Sequence, residues 1–109
     1  MLKQYEVRLP IIREVAKSHG YAIAFHGSGF RDFDLVAVPW VDPISDAATL
    51  VEAIRVAVDG VILPYDNTDK PQSEWRNPAV RPHGRLAWSI QIGGDRYIDL
   101  SVYVPTEEK

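Results

Sequence analysis

Between Leu2 and Ser18 the apolar positions Leu2, Tyr5, Leu9, Ile12, Val15 and Ala16 recur at steps of three and four residues, the spacing of a helix with one buried stripe. Pro10 leaves two starts open: near Leu9, with the proline in the first turn, or from Lys3, with a kink. Gly20 ends the helix in either case. The period then changes to two. Tyr21 to Phe25 reads as a short strand, the small residues of "HGSG" as a turn, and Asp32 to Val38 as a second strand that Pro39 stops. In "DPISDAATLVEAIRVAVDG", Ala47, Leu50, Ile54 and Val58 share one helical face. Ser45 is the expected N-cap, with Asp46 in the first turn and Gly60 beyond the end. Val61 to Leu63 is a short strand. Pro64 to Gly84 carries four prolines and many polar residues and reads as a surface loop reaching to Arg85. "LAWSIQIGGDRYIDLSVYV" alternates on both sides of Gly93, Gly94 and Asp95, which predicts a hairpin of Leu86 to Ile92 with Arg96 to Val104. The tail from Thr106 to Lys109 is expected to fray.

This order predicts a two-layer α+β domain over residues 1–109, a mixed and mostly antiparallel sheet with helices packed on one face. A hydrophobic content of 46% in 109 residues is enough for one modest core. The net charge of -3 gives no global field that would draw the chain to nucleic acid, so an anion site has to be local. The absence of cysteine removes disulfides, thiol nucleophiles and sulfur-ligated zinc. No apolar run is long enough to span a bilayer, and the first ten residues lack the core of a signal peptide. The expectation is a soluble cytoplasmic protein without a membrane partner.

Two acids interrupt the apolar pattern in "RDFDLV". On a strand, residues two apart share a face, so Asp32 and Asp34 project together while Phe33 and Leu35 point into the core. Like charges that close need water, basic neighbours or a cation. Asp99 in "YIDLSV" lies mid-strand between Ile98 and Leu100, and a pairing of its strand with the second would bring three carboxylates together. Such a set suits a hard divalent ion in phosphoryl chemistry. The bland reading is that strand-end carboxylates are common and that Asp is favoured after a turn. It applies more easily to Asp32 than to Asp34 or Asp99, each flanked by apolar residues.

Gly27-Ser28, the Asp-apolar-Asp of "RDFDLV" and Asp99 on a later strand together resemble the nucleotidyltransferase superfamily of the DNA polymerase β type. The likeness runs from Tyr5 to Val104. "HGSGFRDFDLVAVPW", "PHGRLAW" and "YIDLSV" are also similar to small proteins of bacteriophages and prophages. The superfamily resemblance implies a minimal nucleotidyltransferase-like fold in which Asp32, Asp34 and Asp99 bind Mg²⁺ or Mn²⁺ and carry the chemistry. It also implies a short helix opening at Gly27 and Ser28 beside the nucleotide phosphates. The substrate would be a nucleoside triphosphate and the acceptor a hydroxyl, with nucleic acid among the candidates. The family spaces Gly-Ser from the first acid by a longer insert; here only Gly29, Phe30 and Arg31 intervene.

"RNPAVRPHGR" holds Arg76, Arg81, His83 and Arg85 with no acid, a local positive cluster suited to phosphate oxygens or, equally, to offsetting the three carboxylates. His26 and His83 each precede a glycine, which raises a two-histidine phosphoesterase, although His83 lacks the following hydroxyl residue of that motif. His19 suits a helix end, Trp88 alternates as core, and Trp75 in the polar loop is the stacking or partner candidate. The alternative function is a catalytically inactive nucleotide- or protein-binding module using the loop from Trp75 to Arg85. A homodimer through an edge strand such as Arg96 to Val104 is also compatible with the pattern.

Overall fold

The computed structural model describes residues 1–63 and 79–104. Helix α1 spans Lys3–Ser18, strand β1 Tyr21–His26, β2 Phe33–Pro39 and helix α2 Ala47–Val58. They are followed by β3 Val61–Leu63, β4 Ala79–Arg81, a tight turn at Pro82–Gly84, β5 Arg85–Gly93 and β6 Arg96–Tyr103. The strands form one mixed sheet in the order β1-β2-β6-β5-β3, with β4 also pairing β5. Among the described residues only β2 and β6 run parallel; the other pairs are antiparallel. The fold is α+β with both helices on one face, as the periodicities predict. Among the described residues no helix is long and apolar enough to cross a membrane.

The core lies between that face and the helices. Phe33, Leu35 and Ala37 of β2, Ile98, Leu100 and Val102 of β6, and Trp88 and Ile90 of β5 meet Tyr5, Ile12 and Ala16 of α1 and Leu50, Val51 and Ile54 of α2. Each strand contributes alternate residues, so the remaining positions stand on the opposite, open face.

Of the two starts open to α1, the chain takes the longer. Pro10 sits inside the helix, where a missing N–H and a ring clash cost about 3 kcal/mol. The first turn compensates. Tyr5 is fully buried, stacks on Phe33 at 4.5 Å, and donates its hydroxyl to the Arg31 carbonyl at 3.0 Å. Burial of one large side chain is worth about 1.5–3 kcal/mol, of the same order as the proline's cost.

Several details differ from the pattern-based reading. Asp46, not Ser45, caps α2, accepting the Thr49 N–H at 2.8 Å. Ser45 is instead fastened to the end of α1: its hydroxyl bonds His19 Nδ1 at 2.6 Å and its carbonyl accepts from the Tyr21 hydroxyl at 2.7 Å. Pro39 ends β2 as expected, but from inside it, as the last paired residue, opposite Tyr21. Residues 79–81, read as loop, form β4, because Val80 and its neighbours find the edge of β5 beyond the end of β3. The strand expected at an edge, β6, is central, held by β2 on one side and β5 on the other. Among the described residues the edges are β1 on one side and the short β3 and β4 on the other.

Gly20, between α1 and β1, has φ of +91°, and a Cβ there would lie 2.7 Å from the carbonyl oxygens of both Val41 and Pro43. Replacing Gly20 with Ala is therefore expected to lower the melting temperature strongly, by a loss on the order of 2–3 kcal/mol. A Gly94→Ala control at the open hairpin turn, where nothing lies within 4 Å, isolates the cost of positive φ alone. Thermal unfolding followed by circular dichroism checks the difference between the two.

Candidate functional site: a carboxylate pair on the open face

The register of three strand pairs builds the site. His26 of β1 lies opposite Asp34 of β2, Asp34 opposite Asp99 of β6, and Asp99 opposite Ser89 of β5. Partners across neighbouring strands are about 5 Å apart and share a face. A row of four polar side chains thus crosses the open face, bordered along β2 by half-buried Val36 and along β6 by half-buried Ser101.

Asp34 is half-buried, and burial pushes its carboxyl above the usual range; the charges of Asp99 and Asp32 push it the same way, as does a hydrogen bond shared with Asp99. The facing His26 pulls in the opposite direction. Ser89 donates its hydroxyl to Asp99 Oδ1 at 2.8 Å, which fixes that oxygen and orients the carboxyl. Asp34 thus stands in a spot whose negative charge is incompletely compensated.

The other residues singled out in the sequence fall at different distances from this row. Asp32 stands one step outside β2, exposed, close enough for its charge to act on Asp34. Among the described residues no group of three or more His, Asp or Glu side chains is disposed to hold a metal ion. Gly27 adjoins the pair: a Cβ at its position would lie 3.5 Å from Asp34 Oδ2, so the bare backbone leaves that oxygen approachable. Ser28 accepts the Phe30 N–H at 3.2 Å, and residues 27–32 form a bend with no helix, in contrast to the short helix that the resemblance implied. With three residues between Ser28 and Asp32 there is too little chain for a helical turn and a return into β2.

Of the basic segment, Arg85 comes nearest. Its Nη1 donates to Ser101 Oγ at 3.1 Å and its Nε to the Pro82 carbonyl at 3.3 Å. Ser101 is two residues beyond Asp99 on the same face, so the guanidinium lies about 7 Å along the strand from the acid row. Arg81 is the cross-strand partner of Arg85, and His83 occupies the turn between them at φ of 67°. Arg76 and Trp75 lie outside the described residues. His26 and His83 stand at opposite ends of strands separated by β2 and β6, too far apart to act as a catalytic pair. Trp88 is core, 3% exposed, and His19 closes α1.

Ser89 and Ser101 were not singled out by sequence. The only signal they carry is polar identity on the solvent phase of an alternating strand, which any surface serine shares. Concavities of about 480 and 610 Å³ open elsewhere, along α1 at Leu9 and Pro10 and over α2 at Ala48 and Val56. Glu6, Arg13, Glu14 and Lys17 line the first and His19, Thr49 and Glu52 the second, but neither sets two carboxylates side by side on paired strands, and the acid row is the better candidate on chemistry. Compared with family models, curated proteins and solved structures, the chain matches none.

A carboxylate whose folded pKa is raised binds its proton more readily in the folded than in the unfolded state. Stability contributed by this group is therefore greatest at acid pH and falls as pH rises through the interval above the ordinary value of 3.8. Asp34→Asn is expected to melt higher than the parent at neutral pH, with the gap narrowing toward about pH 4. A melting-temperature series from pH 4 to pH 8 measures it, and an Asp34→Asn protein less stable than its parent at pH 7 contradicts the assignment.

Proposed function

We propose that the acid row is a divalent-cation site and that the chain is a nucleotidyltransferase-like protein moving a nucleoside monophosphate from a nucleoside triphosphate to a hydroxyl acceptor. The observation that carries this reading is the in-register meeting of Asp34 and Asp99 on parallel strands, with Gly27 against the same carboxyl. The two carboxylates are hard oxygen donors, and with solvent completing the shell they suit Mg²⁺ or Mn²⁺. Asp34 and Asp99 would hold the ion, with Asp32 at the rim, and it would neutralise charge on the transferring phosphate.

The chain's own groups have definite parts. Ser28, whose oxygen accepts from Phe30, keeps its hydroxyl proton to donate to a phosphate oxygen. Arg85 retains N–H groups beyond those given to Ser101 and Pro82 and lies on the same face. In the reaction the acceptor oxygen bonds to the α-phosphorus, the bond from that phosphorus to the bridging oxygen breaks, and pyrophosphate leaves. The acceptor's proton passes to an ionised carboxylate of the row. A cytoplasmic setting supplies the triphosphate.

A second reading, a nucleotide-binding module without catalysis, is supported by the short link from Ser28 to Asp32 and by the bend that stands where the family has a helix.

Isothermal titration of Mn²⁺ with nucleoside triphosphate into the parent and into the Asp32→Asn, Asp34→Asn, Asp99→Asn triple variant tests the cation site. The parent is expected to bind at least about tenfold more tightly, a difference of about 1.4 kcal/mol. Equal binding by the two proteins ends the cation reading. Transfer of label from an α-labelled triphosphate to macromolecular acceptors in an extract by the parent, and its absence with the triple variant, separates the transferase from the binding module.

A further inference from the structure

The two edges of the sheet are unlike. On one side β3 and β4 are three residues each, a segmented edge that offers little continuous backbone. On the other, β1 runs six residues in unbroken register with β2, and among the described residues its outer edge pairs with nothing. β1 reads Tyr-Ala-Ile-Ala-Phe-His: no proline, no lysine, no acid and no bulge, so the usual devices that blunt an edge are missing. Ala22 and Ala24, exposed on the open face, are too small to shield the backbone.

The two most exposed aromatic side chains among the described residues flank this strand. Phe30, 61% exposed, follows the His26 end; Trp40, 76% exposed, sits at the Tyr21 end, its N–H donating to the Gly20 carbonyl at 2.8 Å. A two-fold axis through the middle of β1 exchanges the ends. We propose that β1 is a self-association edge: two copies pair their β1 strands antiparallel, bringing Trp40 of each copy to the same end as the second copy's Phe30.

Geometry restricts the register. Residues directly opposite each other share a face, so for both copies to keep their helices on one side the paired residue numbers must have the same parity. Two central registers satisfy this, one setting Ala24 on the second copy's Ala24 and the other setting Ala22 on the second copy's Ala24. In both, the acid rows of the two copies lie on a single continuous open face. The contact is self-complementary and closes after two copies, since each copy contributes its one long edge.

Sedimentation velocity from micromolar to near-millimolar concentration is expected to show a monomer–dimer equilibrium. Ala24→Lys places two like charges beside the axis and is expected to weaken the dimer at least about tenfold. Trp40→Ser is expected to weaken it as well. Val61→Lys, at the exposed β3 edge, is the control that leaves association unchanged. Circular dichroism verifies that each variant is folded. As an independent readout, the Ala22→Cys, Ala24→Cys double variant of this cysteine-free chain is expected to cross-link into disulfide dimers under mild oxidation in either register. A protein that stays monomeric throughout the range, or a dimer indifferent to Ala24→Lys, overturns the proposal.

Discussion

The parallel pairing of β2 with β6 sets the rest of the molecule in place. On the helix side it stacks Phe33, Leu35 and Ala37 beside Ile98, Leu100 and Val102, residues at most 1% exposed. Slipping either strand by one residue would turn that whole set to solvent and drive Asp34 or Asp99 into the core, so the register is strongly determined. The same register obliges the two acids to stand side by side on the open face. Their repulsion is a consequence of a pairing that the core enforces, and it persists because the hydrophobic term on one face outweighs the electrostatic term on the other.

The core accounts for the tolerance of the pair but not for the choice of acids at these positions. Val36, one row along on the same face, illustrates what the fold alone would accept. Replacing a half-buried charged pair with apolar residues is commonly neutral or stabilising, and Asp34 in particular is held in an environment that favours its protonated form. Around it the chain arranges Gly27 with no side chain, Ser89 on Asp99 Oδ1 and Arg85 on Ser101. These groups leave an oxygen-rich spot with a guanidinium nearby.

The alternation of β2, β5 and β6 and the stripe of α2 could be read directly, because burial of one face imposes a period that survives in a single sequence. The opposite orientations of Phe33 and Asp34 followed from the same rule, whereas Asp32, read as part of the strand, lies just outside it. What the pattern does not encode is the neighbour. Nothing in "RYIDLSVY" distinguishes a central strand from an edge, and β6 becomes central only because β2 finds it across an intervening helix and strands. Likewise Ala79 to Arg81 is too short for a period to register, and its identity as β4 comes from the exposed edge of β5. Ser45 and Asp46 are both good caps by composition; the choice was made by His19 and Tyr21, which claim Ser45 from another part of the chain.

The long form of α1, with a proline in its interior, becomes intelligible through the turn that follows β1. Leu2 donates its N–H to the Gly29 carbonyl at 2.9 Å, and Tyr5 donates its hydroxyl to the Arg31 carbonyl at 3.0 Å. The first turn of the helix thus clamps both ends of the short link between Ser28 and Asp32. A helix starting at Leu9 would have left that link without support, and Gly27 would have had no fixed position against Asp34. With the clamp, the backbone beside the acid pair is held by a buried aromatic stacked on Phe33, itself the β2 residue between Asp32 and Asp34. The core side of β2 and the open side are therefore coupled through one residue: packing at Phe33 holds Tyr5, Tyr5 holds the link, and the link sets where Gly27 stands against Asp34.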